Sequence, residues 1–243
     1  MHKPARVKNG VSVSGRAFIL GNGPSLSETN LDLLENEVTF GTNRISLIYP
    51  HTKMRVKHYV RKEGMELFNK PETSLWADDA LYHLNDPNCH TWMNPWFRVR
   101  LSEFGEGKEW HNDKPGMITW IGACAHYLMH YDMDSCPVSW HLPNFCSFGS
   151  SVTVAIQIAA SLGYGPLYLV GCDLGYQDGK PSHFTSDYEK GYEKMLQPAR
   201  YANMDAIMGH IIAKRSSPVP IYNATKGGFL EVYERVEYES LFA

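Results

Sequence analysis

Two asparagines, a serine pair, an aspartate and a histidine each stand at or near the end of an apolar run. Asn22 lies in Gly21-Asn22-Gly23-Pro24-Ser25, directly after Ala17–Leu20, and Asn43 lies in Thr42-Asn43-Arg44, after Val38–Gly41. Asp173 closes the run Pro166–Cys172, and His183 follows in the polar loop Asp173–Tyr188. Asparagine offers donors and acceptors without charge, which suits a nucleobase, a ribose or a phosphate. Either asparagine also suits a plain turn, bonding its own backbone. Glycines let a turn bring its N–H groups close to a ligand, and a glycine turn that opens a helix is a ready anion site. Pro24 fits a first helical position, and Ser25 with Glu28 has capping-box spacing. Gly149-Ser150-Ser151 offers a second set of amides and hydroxyls ahead of an Ala/Ile-rich helix, or else an ordinary N-cap serine. A loop histidine beside Asp173 can take a proton from a hydroxyl near neutral pH, and His183 is the candidate.

The elements that must carry these residues form an α/β pattern. Ala17–Leu20, Val38–Gly41, Arg55–Val60, Pro166–Cys172 and Val219–Tyr222 read as strands, the first and fourth as continuous apolar runs of buried parallel sheets. Leu31–Leu34, Gly64–Phe68, Ile121–Tyr131, Val152–Leu162 and a long stretch from 187 to 214 read as helices, and Val138–Leu142 as a further strand. Strand, helix and strand within about thirty residues match a βαβ unit. The prediction is one domain over 1–243, a Rossmann-like three-layer sandwich with a mostly parallel sheet. Residues around 70–116, rich in Trp, Asn, Pro and His, read as an irregular insertion of short strands and loops. In open parallel sheets ligands bind beyond the carboxyl ends of strands. The loops at 21–25, 42–44 and 173–188, with Asn223–Gly228, share that edge.

Composition narrows the ligand. A net charge of −3 gives no reason to expect nucleic acid. No apolar run approaches membrane-spanning length, and the opening residues lack the apolar core of a signal peptide. Five irregularly spaced cysteines read as reduced thiols, so a cytoplasmic location is the expectation. After Gly21 and Gly23 the third glycine of a dinucleotide fingerprint is replaced by Leu26, and Asn43 stands where a ribose-binding acid would close the second strand. No glycine loop ends in the Lys-Ser or Lys-Thr of a P-loop. His126 and His130 share a helix face near Cys124, but no glutamate of a zinc-protease helix lies between them. Asp173 as a Mg²⁺ holder through a nucleotide's phosphates is a lone carboxylate.

Ile19-Leu-Gly-Asn22-Gly-Pro-Ser-Leu26 and Gly41-Thr-Asn43-Arg44, with Gly149–Asp173, resemble two related groups. One is the bacterial sialyltransferases that use CMP-sialic acid. The other comprises motility accessory factors and 6-hydroxymethylpterin diphosphokinase-like proteins, which the tail Tyr222–Gly228 resembles more closely. The likeness spans about half the chain and leaves roughly 65–116 unmatched. It implies a transferase with a nucleotide-activated donor and a hydroxyl acceptor. Asn22 and Asn43 would hold the nucleotide's phosphate and sugar, and Ser150 or Ser151 would lie near the cytidine and donor sugar. Asp173 and Tyr176 would shape the donor site, His183 would be the general base, and Tyr188 would bind phosphate. A CMP-sugar glycosyltransferase of this group needs no metal, whereas the diphosphokinase alternative needs ATP and Mg²⁺. A non-catalytic nucleotide-binding module is the third reading. The resemblance also admits a homo-oligomer.

Overall fold

In the computed structural model, residues 15–62, 74–93, 118–124, 144–146, 150–175, 182–190 and 200–243 are described. The apolar run Ala17–Leu20 forms strand β1 and is buried along its whole length. Its side chains alternate between two cores: Phe18 and Leu20 face one, Ala17 and Ile19 the other. A strand covered on both faces needs apolar residues at every position, which is why this one does not alternate with polar residues. β1 pairs in parallel with β2 (Thr39–Thr42) on one side and with β8 (Leu167–Val170) on the other.

From β1 the chain moves outward through β2, β3 (His58–Arg61), β4 (His90–Met93) and β5 (Ile118–Trp120). It then returns to the opposite side of β1 as β8, followed by β9 (Ile221–Asn223) and β10 (Glu234–Arg235). The sheet runs β10-β9-β8-β1-β2-β3-β4-β5, and every neighbouring pair is parallel. A separate parallel pair joins β6 (Gly122–Cys124) to β7 (Asn144–Cys146). Helix α1 (Ser74–Leu84) contributes Ala80 and Leu84 to the core holding Phe18. Helix α2 (Ser151–Ser161) buries Val154, Ala155, Ile158 and Ala159 in the core holding Ile19, and α3 (Arg200–Ser216) packs on α2. The result is the expected α/β, Rossmann-like sandwich. Because the direction of winding reverses between β1 and β8, the loops leaving their carboxyl ends diverge and open a crevice there.

Several local expectations are revised. Residues 24–28 form one turn of 3-10 helix whose cap makes no side-chain hydrogen bond, so the Ser25–Glu28 capping box does not form. Residues 74–93, inside the stretch read as short strands and loops, hold α1 and β4, with Trp92 and Met93 buried. At 122–124 the expected helix is a strand, because β7 supplies a partner that local sequence does not reveal. Gly64–Phe68 and Val138–Leu142 lie outside the described residues, as do His126, His130 and Tyr176. Among the described residues no helix is long and apolar enough to cross a membrane.

Ile19, fully buried between β2 and β8, tests this layout. Ile19→Ala should lower the free energy of urea unfolding by about 2–5 kcal/mol and Ile19→Val by about 1 kcal/mol. Equal, negligible losses in both variants would mean β1 is not central.

Candidate functional site

The Gly21–Ser25 turn is zipped to the end of β8. Gly21 N–H donates to the Val170 carbonyl and Gly23 N–H to the Gly171 carbonyl, both at 2.8 Å. Ser25 donates its N–H to Asp173 Oδ1 at 3.3 Å and its hydroxyl to Oδ2 at 2.8 Å. A Cβ on Gly21 would overlap the Gly171 carbonyl, and one on Gly23 would overlap the Asp173 carboxylate. The glycines are therefore required by the approach of two strand ends. The amides of Gly21, Gly23 and Ser25 are spent within the protein, which corrects their reading as donors to a phosphate. Ser25 is buried behind Asp173 and does not line the cavity in front of it.

That cavity, about 200 Å³, lies at the crevice between β1 and β8. Its walls bring together Gly21, Asn22, Gly23, Asn43, Ser150, Ser151, Asp173, His183 and Tyr188 from four separate segments. Thr42, Leu174, Ser182, Ala206 and His210 line it too and were not singled out by the sequence. Among the described lining residues there is neither lysine nor arginine. Apart from Asp173 and the two histidines, the polar side chains of the described walls are mainly neutral amides and hydroxyls.

Asn22 Nδ2 donates to the Thr42 carbonyl at 3.0 Å and to Thr42 Oγ1 at 3.1 Å. A backbone carbonyl accepts only, so this contact fixes the amide's orientation. Oδ1 is then left buried without a partner. Asn43 sits in the left-handed region at φ 51°, which asparagine tolerates better than most residues. Its Oδ1 accepts from the Ser151 hydroxyl at 3.1 Å, joining the end of β2 to the start of α2. Ser150 caps α2, its Oγ accepting from Val152 N–H at 3.2 Å. This is an N-cap arrangement, and the same serine lines the cavity.

His183 stacks on Tyr188 with ring centroids 3.8 Å apart and planes 11° from parallel. Its Nδ1 lies 3.2 Å from Glu189 Oε1. Burial pushes the imidazole pKa below its usual 6.5, while the Glu189 contact pulls the other way. Arg44 holds this loop from behind. It donates to the Asp187 and Tyr188 carbonyls, both at 2.8 Å, and forms a buried ion pair with Asp79 at 2.7 Å. Phe184 N–H donates to the Asn22 carbonyl at 3.1 Å, tying the loop to the glycine turn. Cys172 is buried at the cavity wall and burial pushes its thiol up to about 12, so it is no nucleophile. Both Asp173 oxygens are engaged by Ser25, and among the described residues no group of three His, Cys, Asp or Glu could hold a metal ion. These donors do not fit a resident Mg²⁺ at Asp173.

No family model and no curated protein matches the sequence. Among solved structures the chain is similar to the MAf glycosyltransferase from Magnetospirillum magneticum AMB-1, with a TM-score of 0.55 and 13% identity. That match covers 98% of this chain and 36% of the other, so the chain spans about a third of that protein's length. It is also similar to the monofunctional alpha-2,3-sialyltransferase Cst-I from Campylobacter jejuni, with a TM-score of 0.51 and 16% identity. There the match covers 94% of this chain and 83% of the other. At such identities the likeness is one of fold.

Burial raises the Asp173 carboxyl above its usual 3.8, against the pull of the two Ser25 hydrogen bonds. A group that binds its proton more tightly when folded loses stabilising influence as pH rises from its unfolded pKa through its folded one. The stability of wild type minus that of Asp173→Asn should therefore fall from about pH 3.8 upward and level off above the folded pKa. Thermal melts across that range measure it; a flat or rising difference would contradict the assignment.

Proposed function

We propose that this protein is a glycosyltransferase that takes its sugar from a nucleotide-activated donor, most concretely a CMP-sugar. The observation that carries the reading is the amide- and hydroxyl-lined cavity at the β1/β8 switch point, without lysine or arginine among its described lining residues and with the half-buried His183 on its wall. The likeness of fold to a MAf glycosyltransferase and to a sialyltransferase supports it. The resemblance of Ile19–Leu26 and Gly41–Arg44 to the CMP-sialic-acid enzymes supports the cytidine nucleotide in particular.

His183 takes the proton from an acceptor hydroxyl as that oxygen bonds to the anomeric carbon of the donor. The bond from that carbon to the phosphate oxygen breaks, and CMP leaves with the electron pair. With its pKa below 6.5 the imidazole is neutral at pH 7 and ready to act as a base. Glu189, against Nδ1, orients the ring and stabilises the imidazolium that forms. The Asn22 amide stands on the cavity wall with Oδ1 buried and unbonded to any described residue, an acceptor that suits a sugar hydroxyl and repels a phosphate oxygen. Its role is therefore on the sugar side of the nucleotide. Ser150 accepts at its oxygen from the backbone and keeps its hydroxyl proton to donate, which suits the phosphate. Asn43 sets the start of α2, and Asp173 holds the glycine turn in place. Tyr188 buttresses His183. Charge developing on the leaving phosphate is met by hydrogen bonds, with no metal required.

Saturating CMP, at a hundred times its Kd, should stabilise the fold by about 2.7 kcal/mol in thermal melts, whereas ATP with Mg²⁺ should not. His183→Ala should cut transfer from a CMP-sugar by about 10²–10⁴-fold while leaving CMP affinity within about twofold. A shift with Mg²⁺-ATP instead of CMP would favour pyrophosphoryl transfer. Binding of CMP with no turnover by wild type would favour a non-catalytic module. If neither nucleotide binds, the reading fails.

A further inference from the structure

On the flank of the cavity opposite His183, helix α3 places Ala206 and His210 one turn apart on a single face. The two histidines approach from different sides of the sheet. Tyr188, stacked on His183, belongs to the core that holds Phe18, whereas Tyr233, bonded to His210, belongs to the core that holds Ile19. His210 is 1% exposed and meets Tyr233 edge-on, with planes at 87°.

The hydrogen bonds decide which ring nitrogen carries the proton. Tyr233 Oη lies 3.2 Å from the His210 carbonyl, which can only accept, so the phenol donates there. The phenolic oxygen then offers a lone pair to His210 Nδ1 at 3.0 Å, and Nδ1 must hold the hydrogen. Nε2 is left as a bare acceptor with no hydrogen bond to any described residue. His83 shows the contrast. Equally buried, it uses both ring nitrogens, one on the Tyr49 hydroxyl at 2.9 Å and one on the Asp79 carbonyl at 2.8 Å. A histidine that serves only the core is satisfied in that way, whereas a nitrogen left unpaired beside a cavity awaits a donor.

We propose that His210 Nε2 accepts a hydrogen bond from a donor group of the bound nucleotide, either a ribose hydroxyl or the exocyclic amine of the base. His210 is then a specificity-determining residue. Ala206, one turn earlier on the helix, lines the same cavity with a single methyl. Burial holds the imidazole at a pKa of about 3, so it stays a neutral acceptor throughout the working pH range and is no proton carrier. The assignment rests on the nucleotide reading above and divides the labour between the two histidines: His183 moves a proton and His210 selects the ligand.

Long-range proton–nitrogen NMR of the histidine-labelled protein reads the tautomer directly. In the free protein the His210 signal should show Nδ1–H and a bare Nε2, and CMP should move the Nε2 resonance in the direction of hydrogen-bond acceptance. In calorimetric titrations His210→Phe should weaken CMP by about tenfold, and His210→Gln, which keeps an acceptor, should recover most of the loss. If the amine is the donor, wild type prefers CMP to UMP and His210→Phe does not. If the ribose is, the preference lost is that for CMP over 2′-deoxy-CMP. An Nε2–H tautomer, an Nε2 resonance unmoved by bound CMP, or a folded His210→Phe that binds CMP like wild type would each overturn the proposal. The NMR arm needs no variant and stands even if His210→Phe does not fold. Failure of wild type to bind CMP at all would remove the nucleotide reading and this one together, a result distinct from the other three.

Discussion

Everything at the cavity depends on two strand ends being held against each other. The amides of Gly21 and Gly23 reach the carbonyls of Val170 and Gly171, and the Asp173 carboxylate receives both the N–H and the hydroxyl of Ser25. These contacts satisfy backbone groups that would otherwise face the crevice unpaired, at a cost of about 1–3 kcal/mol for each one buried. They also leave Asn22 at the apex of the turn with only one way to point its amide. Once Nδ2 is committed to Thr42, Oδ1 is the amide atom left without a partner among the described residues.

A second constraint holds the other wall. Within the described residues 182–190, the segment bearing His183 and Tyr188 is anchored in the core by Tyr188 and Phe184. Arg44 adds a hold through two backbone carbonyls, with its own charge balanced by Asp79 below. A buried ion pair of this kind contributes little net stability, but losing either member leaves a costly unpaired charge. Its consequence here is positional. The same segment that leaves β2 through Asn43 also clamps the histidine loop, so both walls of the cavity are referred to one strand end.

Much of this layout is legible in the sequence, for physical reasons that differ by residue. β1 and β8 are continuous apolar runs because both of their faces are covered; Asn22 and Asp173 lie just beyond their ends, and Asn43 just beyond β2. The edge of the sheet that forms the site follows from that alone. Ser25 is misread from local spacing because its partner, Asp173, is 148 residues away. A reciprocal bond within one helical turn and a bond across the sheet make the same demand on the residue type. α1 and β4 are hidden for a related reason: polar and aromatic residues there are buried by neighbours that only the fold assembles. His210 carries the faintest signal. It sits in the middle of a helix, and only the i, i+4 spacing from Ala206 hints at a face with room beside a histidine.

The chemistry of the walls also explains the treatment of Asp173. A carboxylate facing an anionic ligand would repel it, and no lysine or arginine among the described lining residues offsets that charge. Both oxygens accept from Ser25, which locks the glycine turn and partly satisfies the carboxylate that lines the cavity. Among the neutral groups on the described walls are the acceptors of the Asn22 amide and the His210 ring, with the hydroxyls of Ser150 and Ser182 beside them. Acceptors of that kind bind the hydroxyls and amines of a nucleoside, while the phosphate depends on fewer and weaker donors. Affinity should therefore lie in the nucleoside, and the phosphate should be held loosely enough to leave with it when the glycosidic bond to the donor sugar breaks.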